Sequence, residues 1–195
     1  ANQNFDLTSA GTEDWAIWGY ANGGTSTSLA PNVRKAGGSS ISDLTNIDPA
    51  PSVQLRGIGQ FAEPFTFSWS NGSGPATAAN VRGGLQHNGA PQNLSTLGHG
   101  FGFDLPADTT VRTAKIYVIT NRAAGRLTAS LSDGSATTYV NTLPAATDAR
   151  TGVYTITYSA LSAGQKLHVD WVETVDNCAT FRCDNAAIFA VEQRA

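Results

Sequence analysis

The stretch Lys115-Ile116-Tyr117-Val118-Ile119-Thr120 carries apolar side chains at both parities, as a strand buried on both faces does. Outward from it a two-residue period repeats. Leu127, Ala129 and Leu131 point one way, and Thr128, Ser130 and Ser132 the other. Tyr154, Ile156 and Tyr158 alternate with Val153, Thr155 and Thr157; Leu167, Val169 and Trp171 oppose His168 and Asp170; Ala187, Phe189 and Val191 close the chain. Turn signals separate these runs: Pro106-Ala107-Asp108, Ser132-Asp133-Gly134-Ser135 and Ser162-Ala163-Gly164. Helical periodicity is nearly absent. The pattern predicts an all-β chain folded as an antiparallel β-sandwich, by meander or Greek key.

The first half is looser. Strands are expected near 4–8, 14–20, 53–56, 65–69 and 98–104, separated by long Gly/Ser/Asn-rich loops at 21–32 and 71–95. Ordered loops on a β-scaffold are where binding surfaces usually lie. With no linker, low-complexity tail or internal repeat, one domain spanning 1–195 is expected.

Of the 195 residues 14% are charged, below the usual quarter, while the 41% apolar share argues against disorder. A formal charge of −3 with dispersed basic residues gives no footprint for nucleic acid or an anionic membrane. No apolar run approaches the roughly 20 residues of a spanning helix, so no membrane insertion is expected. The chain opens at Ala1 and holds no Met, from which a mature secreted chain or an excised module is expected. Cys178 and Cys183 lie in Cys178-Ala179-Thr180-Phe181-Arg182-Cys183. Two thiols are too few for a zinc site, so a disulfide is expected, worth about 2 kcal/mol for so small a loop. That agrees with an extracellular setting.

Several motifs resemble, in order, those of a family of bacterial secreted β-sandwich modules. They are Asp14-Trp15-Ala16-Ile17-Trp18-Gly19, Arg34-Lys35-Ala36-Gly37 and Phe67-Ser68-Trp69-Ser70-Asn71-Gly72, then Gly100-Phe101-Gly102-Phe103-Asp104-Leu105-Pro106. Gly125-Arg126-Leu127, Leu131-Ser132-Asp133-Gly134-Ser135 and Gly152-Val153-Tyr154 continue the likeness, which runs from about Leu7 to Val191. The resemblance implies a jelly-roll or galactose-binding-like sandwich attached to extracellular carbohydrate-active enzymes as a carbohydrate-binding accessory. Ile17 departs from the family, where His is usual at that place, and the Cys pair is an addition.

A sugar ring stacks its C–H face on Trp or Tyr and offers hydroxyls to planar polar groups. Trp15 and Trp18 sit three apart and so project to opposite faces of a strand, which leaves at most one of them for a core there. Trp18 is the preferred platform, with Trp15 and Trp69 beside it. Asp14, Arg34, Lys35, Asn71 and His99 are the candidate polar partners. The ordinary alternative is that these tryptophans, with Trp171, are sandwich core. His99, between Gly98 and Gly100, shares the parity of Phe101 and Phe103, so a buried, hydrogen-bonded His competes with a ligand-facing one. His168 and Asp170 share one face and read as a solvated pair before a catalytic one.

A glycosidase needs two carboxylates some 5–10 Å apart, and Glu13, Glu63, Glu173 and Glu192 form no recognisable pair. A polysaccharide lyase would draw on His99, Tyr20 or Tyr117, and Arg34 or Arg82. Structural calcium would draw on the Asp-rich turns at 104–108 and 176–184. The leading expectation is a monomeric, secreted, non-catalytic carbohydrate-binding module that takes a polysaccharide or other glycan. A small lyase or hydrolase, and an adhesin-like interaction domain, are its rivals.

Overall fold

The computed structural model describes residues 3–21, 24–49, 53–58, 65–89, 94–178 and 185–195. Its middle sheet has seven strands. β12 (Arg112–Asn121) pairs with β15 (Ala149–Tyr158) on one side and β17 (Asn185–Arg194) on the other. Along the far edge of β17, β10 (Leu85–Asn88) and β2 (Asp14–Ile17) lie end to end. β10 leads on to β7 (Gln54–Gly57), and β2 to β5 (Val33–Arg34). A five-stranded sheet packs on one face, in the order β14 (Tyr139–Leu143), β13 (Ala123–Leu131), β16 (Gln165–Asp176), β11 (Gly100–Ala107), β6 (Thr45–Ile47). Every ladder in both sheets is antiparallel, and the expected β-sandwich is what forms.

A third layer covers part of the other face of the middle sheet. It is β1 (Gln3–Asp6), β8 (Phe65–Trp69) and β9 (Ala78–Val81), with β1 parallel to β8. One helical turn, α1 (Leu7–Ala10), follows β1, because the Asp6 side chain accepts from the Thr8 amide and caps it. The strand expected at 4–8 therefore stops at Asp6. A two-residue hairpin, β3 (Tyr20–Ala21) with β4 (Gly24–Thr25), completes the chain. The strand expected over 14–20 is interrupted at Gly19, whose φ of +70° a side chain would oppose. The loop expected at 71–95 contains β9 and β10, and residues 90–93 lie outside the described ones.

Three layers make two cores. Ile116, Val118, Leu127, Val169, Trp171, Phe103, Ile188 and Trp18 fill the space between the middle and five-stranded sheets. Trp15, Ile17, Tyr117, Ile119 and Phe189 meet Phe65, Phe67, Trp69 and Phe5 in the other. This is why β12 is apolar at both parities. It also corrects the reading of the tryptophan pair. Trp15 and Trp18 do point to opposite faces, but both faces are covered, so both rings are fully buried.

Candidate functional site

The residues singled out around Asp14 do come together, as a clasp that holds the two-core region. Asp14 is buried, and its carboxylate accepts from the Trp15 amide (2.8 Å), the Ser40 amide (2.8 Å), the Ser40 hydroxyl (2.7 Å) and the Ile41 amide (3.2 Å). The Asn71 side-chain oxygen accepts from Trp15 Nε1 and Thr8 Oγ1, both at 3.0 Å. Lys35 Nζ donates to the carbonyls of Thr12 and Glu13. Arg34 reaches Asp43 at 3.4 Å. Trp18 donates to the Leu29 carbonyl and Trp69 to that of Pro75. The expectation of a stacking platform is corrected here: Trp15, Trp18 and Trp69 present no free ring face, because all three are packed in cores and hydrogen-bonded through their indoles.

His99 lies elsewhere, at the edge formed by β6, β7 and β10. It is buried, with Nε2 2.7 Å from Asp48 Oδ1 and its ring 5.0 Å from that of His87. His87 Nε2 meets Asn46 Oδ1 at 2.7 Å, and its ring stacks on Phe101 at 4.8 Å. Burial, with His99 nearby, pushes the His87 pKa down to about 4. His87 is on the middle sheet and Asn46 on the five-stranded one, so this bond ties the two sheets together.

The described glutamates each have a separate partner. Glu13 is bound to Arg112 (2.9 Å), Glu192 to Lys115 (3.1 Å) and Glu173 to the Thr96 hydroxyl (2.8 Å), while Glu63 lies outside the described residues. The groups considered for a lyase are also separated: Tyr117 is in the core under β8, and His99 at the β6 edge. His168 and Asp170 are the solvated pair expected, 3.2 Å apart, with Asp104 2.7 Å from the other ring nitrogen. Burial pulls the His168 pKa down, but Asp104 and Asp170 outweigh it and hold it above the ordinary value.

The turn at 104–108 does not fit calcium. Asp104 is taken by Lys166 and His168, and Asp108 by Arg112 at 2.6 Å. Among the described residues no group of three or more His, Cys, Asp or Glu could hold a metal ion. In the second turn, Asp176 accepts from the Cys178 amide and Ser95 hydroxyl, and residues 179–184 lie outside the described ones, Cys183 among them. No helix of the described residues is long and apolar enough to cross a membrane.

The opposite edge of the sandwich holds a half-open cleft of about 540 Å³ between β13 and β15. It arises from a mismatch of strand lengths. β13 runs to Leu131 and pairs with β16 that far, but β14 accompanies it only from Gly125 to Ala129. Past that point the two sheets stand uncovered at their edge. The floor is Ala129, Leu131, Ile156 and Leu167. Thr137, Tyr139 and Ser159 add hydroxyl-bearing residues to the lining, as do Thr155 and Thr157, which alternate with Ile156 and of which Thr157 meets the Thr113 hydroxyl at 3.3 Å; Val111 adds an exposed apolar edge.

The turn between Leu131 and Ala136, both of which line the cleft, is fixed in place. Asp133 accepts from the Leu161 amide (2.8 Å) and the Ser135 amide (3.0 Å), while Gly134 turns at φ +66°. Hydrogen bonds from Ser135 and Leu161 hold the Asp133 carboxyl below the usual range. Behind the floor, Tyr158 donates to the Pro106 carbonyl and accepts from Gln193 Nε2 at 2.8 Å. Such a cleft can hold a small uncharged molecule with an apolar face and hydroxyls at its border. The alternation in the sequence put Leu131 on one face with Leu127 and Ala129, and Ile156 with Tyr154 and Tyr158, but gave no sign of an opening.

No family model matches the chain, and no curated protein matches it. Among solved structures it is similar to the enzymatically active domain of tailspike protein 4 of bacteriophage CBA120 (10% identity, 86% of this chain and 21% of that one, TM-score 0.45). It is also similar to the carbohydrate-binding module TmCBM61 solved with β-1,4-galactotriose (10% identity, 80% and 88%, TM-score 0.42). A third is the CBM22-1–GH10 portion of a Clostridium thermocellum xylanase solved with xylohexaose (8% identity, 78% and 26%, TM-score 0.42). The chain thus spans about a fifth of the tailspike domain and a quarter of the xylanase portion. These likenesses stay below a TM-score of 0.5, and the fold assignment stands on the chain's own strand pairing.

Proposed function

We propose that the chain is a non-catalytic carbohydrate-binding module whose glycan sits in the β13–β15 edge cleft. One observation carries this reading: the cleft joins an all-carbon floor to a border of Thr, Ser and Tyr hydroxyls, with no carboxylate, imidazole or thiol among its lining residues. Sugars need both surfaces, and hydrolysis would need a pair of carboxylates that the lining does not supply. The motif resemblance to secreted bacterial modules supports the same reading.

Affinity electrophoresis and calorimetry against a panel of polysaccharides test it. At least one polymer should retard the protein. Thr137→Trp, which fills the mouth, should abolish retardation, and Tyr139→Ala should weaken it about tenfold. No retardation by any polymer, or retardation unchanged in Thr137→Trp, would overturn the reading. New reducing or unsaturated ends in the mixture would instead establish catalysis.

The secreted setting is part of the proposal, and so is the Cys178–Cys183 disulfide. The intact mass should rise by two hydrogens on reduction. Structural calcium is part of the proposal too, and a thermal shift on adding calcium tests it. A monomer is the expected state, checked by light scattering.

A further inference from the structure

We infer that the sugar held in the edge cleft is uncharged and carries a methyl group, as a 6-deoxyhexose or an acetylated sugar does. This rests on the glycan reading above and specifies its ligand.

The floor and border differ in chemistry, and the difference selects. Ala129, Leu131, Ile156 and Leu167 offer carbon alone at the bottom of the cleft. They can be reached from outside: Leu131 and Ile156 keep 8% exposure, while Leu127 and Val169 in the same core keep none. A fully hydroxylated hexopyranose pressed onto that floor would bury a hydroxyl or hydroxymethyl group against Leu and Ile with no partner. A buried unpaired hydroxyl weakens binding by roughly tenfold to a hundredfold. A methyl group at the same place meets matched surface, and a hydrophobic pocket gains about tenfold or more from each such carbon. The remaining ring hydroxyls then meet the hydroxyl-bearing residues Thr137, Tyr139 and Ser159 that also line the cleft.

Charge is excluded by the same surface. Uronates and sulfated sugars need a cation, and none lines the cleft. Arg112, the first residue of β12 and next to the lining residue Val111, is already bound by Glu13 and Asp108. Asp133 spends its carboxylate on the Leu161 and Ser135 amides. Binding should therefore be nearly independent of salt between low and physiological ionic strength.

Matched pairs test the inference: L-fucose against L-galactose for the deoxy source, and N-acetyl-D-glucosamine against D-glucose for the acetyl source. Each is titrated into the full chain by calorimetry, with saturation-transfer NMR on the same samples. In at least one pair the methyl-bearing member should bind tenfold or more tightly, and its methyl protons should receive the strongest saturation. Leu131→Thr should narrow that ratio to about twofold. Saturation transfer on the unmodified protein decides the matter if that variant does not fold.

Equal affinity within both pairs, or saturation concentrated on ring protons away from the methyl, would overturn the inference. If Thr137→Trp still abolishes that equal binding, the glycan reading survives alone. Binding of no saccharide, or binding indifferent to Thr137→Trp, overturns both.

Discussion

The two long edges of the sandwich are built from the same pair of sheets and end differently. At the β6–β7 edge, His87 on the middle sheet bonds Asn46 on the five-stranded sheet, and His99 with Asp48 packs beside them. That edge is sealed by polar side chains that have each found a partner across the gap or along the strand. At the β14–β15 edge the crossing bonds, Asp133 to the Leu161 amide and Tyr158 to the Pro106 carbonyl, lie beside and behind the cleft, β14 stops short, and the space between stays open. Closure therefore has a definite chemical cause, and its absence at the other edge is what makes a site.

Substitutions should separate the two edges sharply. Phe101→Ala removes a fully buried ring from under His87 and should cost about 3–5 kcal/mol in urea unfolding, whereas Tyr139→Ala, at 37% exposure, should cost about 0.5 kcal/mol or less. Equal costs would erase the distinction.

Acid should act on one edge only. The folded His87 pKa lies near 4, below its ordinary 6.5, so the unfolded chain binds the extra proton first. Stability from this group is therefore complete above about pH 6.5 and is lost as pH falls towards 4, by about 3 kcal/mol at most. His87→Gln should flatten that part of the stability–pH curve. Glycan affinity at the other edge, whose lining has no carboxylate or imidazole, should stay constant over the same window. A parallel loss of affinity while the protein remains folded would place a titrating group in the cleft.

A smaller effect is expected at the turn beside the cleft. Asp133→Ala frees the 131–135 turn from Leu161, and should lower glycan affinity while shifting Tm by no more than about 2 °C. A larger fall in Tm than in affinity would make Asp133 a structural residue only.

The strands of the second half other than β14 were legible because each alternates against water on one side or is apolar at both parities. β12, with Ile116 and Val118 in one core and Tyr117 and Ile119 in the other, shows how much that pattern carries. The fate of Trp15 was not legible. The layer that covers it comes from β1 and β8, joined in parallel across about sixty residues, and no local period announces such a pairing. The sealed edge depends on contacts of the same kind, His87 to Asn46 across forty-one residues. The cleft was hidden for another reason. It follows from where Tyr139-Val140-Asn141-Thr142-Leu143 ends relative to its neighbour, and that exposed strand has no alternation to mark its ends.

The most direct test is a chemical-shift map of the folded protein titrated with a polysaccharide fragment that retards it. The account predicts shifts centred on Ala129, Leu131, Tyr139, Ile156 and Ser159, with the indole N–H signals of Trp15 and Trp18 unmoved. Shifts at those two indoles with a silent cleft would contradict it.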